Sequence, residues 1–180
     1  MRRHSRAGGK SKASFDLLAR LATFAATLIF SLAVAHAATV VALGASNTYG
    51  KGVSRSQSYP SQLEQILQSK GLSVHVINAG INGDTTAGMM GRITQIPNGT
   101  SVVILQPGGN DRRRGQPAER SANIAEIERQ LASRGIKVVL LENQMFRGLP
   151  HQPDGMHLTP EGYRMLAEAI APQVISALGK

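Results

Sequence analysis

Four short apolar runs recur along the chain after residue 37, and each is rich in valine, isoleucine or leucine. They cover residues 39–43, 73–77, 101–106 and 136–141. Short apolar runs that are bounded by turn residues are typical of buried β-strands. The pattern therefore predicts four strands that are buried inside a single domain.

Segments with helical spacing of apolar residues follow the strands. The first has its apolar face after Pro60 and ends at Gly71, while the last begins with a cap, a proline and an acidic residue at Thr159-Pro160-Glu161. The four apolar faces are Leu63, Ile66 and Leu67; Met89, Met90, Ile93 and Ile96; Ile124, Ile127 and Leu131; and Leu166, Ile170, Val174 and Leu178. These spacings predict four helices.

Strands that alternate with helices indicate parallel β-α-β units with right-handed crossovers. Helices then cover both faces of the sheet. We therefore expect an α/β fold, a three-layer α/β/α sandwich around a parallel sheet.

Each predicted strand is followed by a loop rich in glycine and polar side chains. Ser46 follows the first strand, Gly83 lies in the second loop, Asn110 in the third, and Asp154 and His157 in the fourth. Because the carboxyl ends of parallel strands meet at one edge of a sheet, these loops are expected to converge.

The converging loops contain the groups that acyl transfer requires. Ser46 is the candidate nucleophile and His157 the candidate base. Asp154 lies three residues before His157 and can orient its ring. The backbone N–H groups of Ser46 and Gly83, together with the Asn110 amide, are candidate oxyanion donors.

Simpler interpretations exist for several of these residues. Ser46 alone could be a turn or helix-cap serine. The stretch from Gly44 to Gly52 resembles a phosphate-binding loop, but its glycine spacing and the residue after Lys51 do not fit that motif. His151 is a competing base, but Gly148 stands where a carboxylate partner would lie.

Composition excludes several other classes of protein. The chain has no cysteine, so it has no disulfide and no thiolate metal site, and the spacing of its five histidines does not support a metal centre. Its net charge of +9 is concentrated at the amino terminus. The remainder, residues 38–180, is only mildly basic, and no nucleic-acid partner is expected.

Residues 1–37 have the outline of a secretory signal peptide. A basic segment that ends at Arg20 precedes an apolar stretch from Leu21 to Ala35, and the sequence Ala-His-Ala closes it. Cleavage after Ala37 predicts a periplasmic or secreted domain of residues 38–180. The alternative is an uncleaved anchor in the inner membrane, with the domain facing the periplasm.

The loop motifs G-A-S-N-T-Y-G, N-G-D-T-T, G-G-N-D and D-G-M-H resemble, in order, the four signature blocks of the SGNH (GDSL) hydrolases. The likeness spans residues 40 to about 178 and is greatest to small bacterial thioesterases, lysophospholipases and arylesterases. It implies a catalytic triad of Ser46, Asp154 and His157, with Gly83 and Asn110 as oxyanion donors. It also implies a flavodoxin-like sheet and no cofactor.

Two departures from the family pattern concern the loops and the sheet. Ala45 stands where the first block usually has an aspartate. A side-chain hydrogen bond that steadies the nucleophile loop, the loop around Ser46, is therefore expected to be missing. Only about a dozen residues separate Leu141 from Asp154, whereas larger relatives have another helix and strand there, so the sheet is expected to have four strands, with five as the alternative.

The sequence thus predicts a serine esterase for small or lipid acyl esters or thioesters. Two alternatives remain, a polysaccharide O-deacetylase and a non-catalytic module that binds envelope glycans. The run Arg112-Arg113-Arg114 is either a solvated basic surface or a group that attracts anionic substrates or a lipid surface.

Overall fold

A computed structural model describes residues 37–180 of the chain. The predicted signal segment therefore lies outside the described residues, except for Ala37. Within the described part, no helix combines the length and the hydropathy that crossing a membrane requires.

The described residues form one parallel sheet of four strands, as the sequence predicts. The strands are β1 (Ala38–Gly44), β2 (Val74–Gly80), β3 (Thr100–Gln106) and β4 (Lys137–Leu140), and their order across the sheet is β2-β1-β3-β4. In the register of this sheet Gly44 pairs with Gly80 on one side and with Gln106 on the other. Three strands therefore end at the same level.

Six helices connect or follow the strands of the described region. They are α1 (Ser46–Tyr49), α2 (Tyr59–Ser69), α3 (Thr86–Met90), α4 (Asn110–Arg113), α5 (Glu119–Ser133) and α6 (Pro160–Ala177). Thr159 caps α6, because its hydroxyl accepts a hydrogen bond from the Gly162 N–H. The predicted cap at this helix is therefore present.

The expected helix over Met89–Ile96 is not continuous. Helix α3 ends at Met90, Gly91 follows, and a separate 3₁₀ turn spans Ile93–Gln95. Gly91 within this segment and Gly88 just before it lower the helix propensity. Ile93 and Ile96 are nevertheless buried, because the turn still packs its apolar side chains on the sheet.

Alternate residues of the central strands point to opposite faces of the sheet, and each face has its own apolar core. Val40 and Ala42 pack in the cluster that contains buried residues of α2 and α6. Val41 and Leu43 pack in the cluster that contains residues of α3 and α5. This arrangement is the predicted three-layer sandwich.

Helix α1 crosses directly over the ends of β1 and β2. A Cβ atom at Gly80 would lie 2.1 Å from the backbone nitrogen of Tyr49, and one at Gly44 would lie 2.1 Å from Oγ1 of Thr48. Both positions therefore require glycine because of this close approach. The contact fixes where the helix that begins at Ser46 lies on the sheet.

Replacing Gly80 with alanine should destabilise the fold, because the new methyl group would overlap backbone atoms that cannot move independently. We expect Gly80→Ala to lower the free energy of unfolding by about 1–3 kcal/mol, measured by denaturant titration. Gly91→Ala is the matched control, since its methyl group would meet only ordinary contacts at 3.6 Å. Equal unfolding midpoints for the two variants would contradict this account.

Candidate active site

Ser46 is the first residue of α1, two residues beyond the end of β1. Its Oγ lies 2.9 Å from Nε2 of His157, 111 positions along the chain. A residue at the start of a helix has a backbone N–H with no intrahelical acceptor. Ser46 therefore presents both its hydroxyl and an N–H donor at the edge of the sheet.

Asp154 and His157 lie in the loop that leads into α6. Nδ1 of His157 is 2.5 Å from Oδ2 of Asp154, while the other carboxylate oxygen accepts the backbone N–H groups of Met156 and His157. These hydrogen bonds, that from the His157 ring above all, hold the pKa of Asp154 well below its usual range. The carboxylate is therefore ionised at neutral pH.

The ionised carboxylate determines which nitrogen of His157 carries a proton. Nδ1 faces an acceptor, so in the neutral ring it is the N–H donor, which leaves Nε2 unprotonated and facing the serine hydroxyl. The side chain of His157 is only 5% exposed. The ring is thus fixed in the tautomer that can accept the Ser46 proton.

The nucleophile loop is connected to the rest of the site on two sides. Oε1 of the buried Gln106 accepts hydrogen bonds from the Ala45 N–H at 3.2 Å and the Thr48 hydroxyl at 3.1 Å. On the other side, the Tyr163 hydroxyl donates to Oδ1 of Asn47 at 3.0 Å. Ser46 is therefore flanked by residues that are fixed to β3 and to α6.

Asn110 lies at the start of α4 and is 7% exposed. Its Oδ1 accepts a hydrogen bond from Nη2 of Arg113, and its Nδ2 donates to the Asp84 carbonyl oxygen, both at 2.7 Å. An arginine can only donate and a carbonyl oxygen can only accept, so the chemistry fixes the amide orientation. The second N–H of Nδ2 remains available to another acceptor.

One pocket, of about 240 Å³, contains several of these groups. Its lining includes Ser46, Asn110 and His157, together with Gln106, Phe146 and Met156. Sequence reasoning singled out the first three as site residues. Phe146 and Met156 supply apolar surface beside the serine.

Gly83 and His151 are not among the residues that line this pocket. The Gly83 carbonyl oxygen accepts a hydrogen bond from Nη2 of Arg114 at 2.8 Å, and its role as an oxyanion donor stays a prediction. Nδ1 of His151 contacts the Leu149 carbonyl oxygen, not a carboxylate. Across residues 37–180, no cluster of three metal-binding side chains is found.

A sequence model of the GDSL-like lipase/acylhydrolase family matches residues 42–154. The chain belongs to this family. This result confirms the resemblance that the four loop motifs carry, and the match begins inside β1 and ends at Asp154.

Two named esterases and one solved structure are also similar to this chain. Esterase TesA of Pseudomonas aeruginosa is 33% identical over 114 residues, which cover 62% of this chain and 57% of that protein. The arylesterase of Vibrio mimicus is 26% identical over 192 residues, 84% of this chain and 96% of that protein. The crystal structure of TesA superimposes with a TM-score of 0.68 and 25% identity, and the match covers 78% of this chain and 99% of the other.

Gln106 is a site residue of this GDSL-like chain that sequence reasoning missed. The family's usual aspartate is replaced by Ala45, but the backbone N–H of Ala45 is still held by Gln106. The two residues are 61 positions apart. The only local signal was a polar residue directly after the apolar run of residues 102–105.

Gln106→Leu should lower both stability and turnover, because it leaves the buried Ala45 N–H without an acceptor next to Ser46. We expect a loss of about 1–3 kcal/mol in the free energy of unfolding and a reduced kcat for ester hydrolysis. Thr48→Val is the comparison variant, since it removes one partner of Gln106 and keeps the Ala45 hydrogen bond. A Gln106→Leu enzyme with unchanged kcat would refute the role of this contact.

Proposed function

We propose that this chain is a serine esterase that hydrolyses small acyl esters or thioesters through an acyl-enzyme intermediate. The observation that carries the proposal is the continuous hydrogen-bonded chain from Asp154 through His157 to Ser46. Membership of the GDSL-like family and the esterase relatives support it. The pocket beside Ser46, which Phe146 and Met156 also line, can receive an acyl group.

In the first half of the reaction, Oγ of Ser46 attacks the carbonyl carbon of the ester while Nε2 of His157 takes the hydroxyl proton. The ionised Asp154 stabilises the imidazolium that forms. The tetrahedral intermediate then collapses, the carbon–oxygen bond to the alcohol breaks, and His157 returns the proton to that oxygen. An acyl-serine remains.

In the second half, a water molecule attacks the acyl-serine while His157 accepts one of its protons. Collapse of the second tetrahedral intermediate breaks the bond to Ser46 and releases the carboxylic acid, and the proton passes back to the serine oxygen. The Ser46 N–H and the free N–H of Asn110 stabilise the negative oxygen in both intermediates. The N–H of Gly83 is the third proposed donor.

We also propose that the enzyme is exported, which limits the substrates that it can meet. The basic and apolar pattern of residues 1–37 supports a periplasmic or secreted enzyme. Acyl-CoA is cytoplasmic, so lipid, aryl or carbohydrate acyl esters are the better substrate candidates. Lipid substrates would bring the enzyme into peripheral contact with a membrane surface.

Ser46→Ala should abolish turnover of p-nitrophenyl acetate and covalent labelling by a fluorophosphonate, because both reactions need the serine oxygen. Ser133→Ala is the control, since Ser133 is an exposed serine at the end of α5. Labelling is read by intact-protein mass. Full activity of Ser46→Ala would exclude the mechanism, and glycan binding without hydrolysis of any ester would favour a binding module.

Asn110→Ala should lower kcat by about 10²–10³, because it removes one oxyanion donor, and KM should change less. Asn98→Ala, at an exposed position outside the pocket, is the control for a general effect of losing an amide. Thermal unfolding of both variants separates loss of catalysis from loss of fold. A folded Asn110→Ala enzyme with wild-type kcat would remove Asn110 from the donor set.

A further inference from the structure

The run Arg112-Arg113-Arg114 supplies no reacting group in the proposed hydrolysis. All three side chains are exposed and belong to α4 or its carboxyl end. Arg112 and Arg113 line the same pocket as Ser46 and His157. Two positive charges therefore lie at the rim of the space where an ester would bind.

No aspartate or glutamate of the described residues lines this pocket. The carboxylates on the surrounding loops all accept hydrogen bonds from other partners: Asp84 from Arg92, Asp111 from Thr86, Glu142 from Arg120 and Asp154 from His157. Within residues 37–180, Arg112, Arg113 and Arg114 form no ion pair with any carboxylate. The two arginines at the pocket rim are therefore not paired directly with a carboxylate.

Arg113 shows that this charge lies close to the reacting groups. Its Nη2 is 2.7 Å from Oδ1 of Asn110, and its Nη1 is 3.3 Å from Sδ of Met156, the residue before His157. Only two of its five N–H groups are used in these contacts. The guanidinium therefore bridges α4 and the loop that carries His157, and it still has N–H groups that could donate to a ligand.

We propose that Arg112 and Arg113 form an anion-binding subsite that selects acyl esters carrying a carboxylate or phosphate group near the ester bond. The inference rests on the proposed esterase function and names its substrate class. Guanidinium groups bind carboxylate and phosphate oxygens by charge-assisted hydrogen bonds. A positive rim also attracts anionic substrates as they approach.

Arg112 is the residue to vary, because Arg113 also orients Asn110. The substrates are 4-carboxyphenyl acetate and 4-acetoxyphenyl phosphate, with the methyl ester of the first as the neutral reference. The measured quantity is kcat/KM for each anionic ester divided by that for the neutral ester. Comparing this ratio between variants cancels the different intrinsic reactivities of the esters.

Arg112→Gln should reduce the ratio by about fivefold to tenfold, and Arg112→Glu should reduce it further. Arg129→Gln, which removes one exposed charge from α5, should keep the wild-type ratio. The wild-type ratio should also fall in 0.5 M NaCl, since salt screens exposed charges. The carboxylate and phosphate substrates together show which anion the subsite favours.

Equal losses on charged and neutral esters, or an equal effect of Arg129→Gln, would overturn the subsite. If Arg112→Gln changes the ratio only when anionic lipid vesicles are present, the subsite is overturned, and the arginines bind a lipid surface instead. If the wild-type enzyme cleaves no ester, the esterase proposal fails by itself. Binding of phenyl phosphate, measured by calorimetry in wild type and Arg112→Gln, then still decides the subsite: loss of binding in the variant supports it, and equal or no binding overturns it.

Discussion

The close approach of α1 to the ends of β1 and β2 is the constraint on which the site depends. It is possible because Gly44 and Gly80 present no side chain where the helix crosses. The hydroxyl of Ser46 then lies within reach of His157, and the adjacent Ala45 N–H within reach of Gln106. A wider separation of α1 from the strand ends would move Ser46 away from His157, and hydrogen bonds weaken steeply with distance and angle.

Hydrogen bonds between different loops preserve this geometry around the pocket. Buried or partly buried side chains join these loops to one another and to α6: Ala45 to Gln106, Thr86 to Asp111, Asn110 to Asp84, and Asn47 to Tyr163 of α6. Burial raises the pKa of Tyr163, so its hydroxyl remains a donor at neutral pH. Donors that are fixed in advance need no reorganisation when charge develops in a reaction, which is how such sites stabilise oxyanions.

Charge is distributed unevenly around the pocket. Asp154 contacts Nδ1 of His157, the ring nitrogen that does not face Ser46, and from there it would stabilise a positively charged ring. Arg113 lies next to Asn110, where negative charge would collect on the substrate, and its other guanidinium nitrogen contacts Met156 in the loop that carries His157. The positive charge of Arg113 and the ionised Asp154 therefore act on different groups, the substrate oxygen and the histidine ring.

Local patterns in the sequence determined the four strands, most helices and the cap at Thr159. They also identified the residues that could react. Such patterns suffice because strand, helix and turn preferences act over a few neighbouring positions. The break in the helix at Gly91 was missed, since the apolar spacing continued through it. Only the tertiary structure decided that Gln106 holds Ala45 and that Arg113 orients Asn110, and it left Gly83 outside the pocket lining. These features depend on the exact separation of loops that are far apart along the chain, and that separation is set by packing across the sheet, which no local pattern encodes.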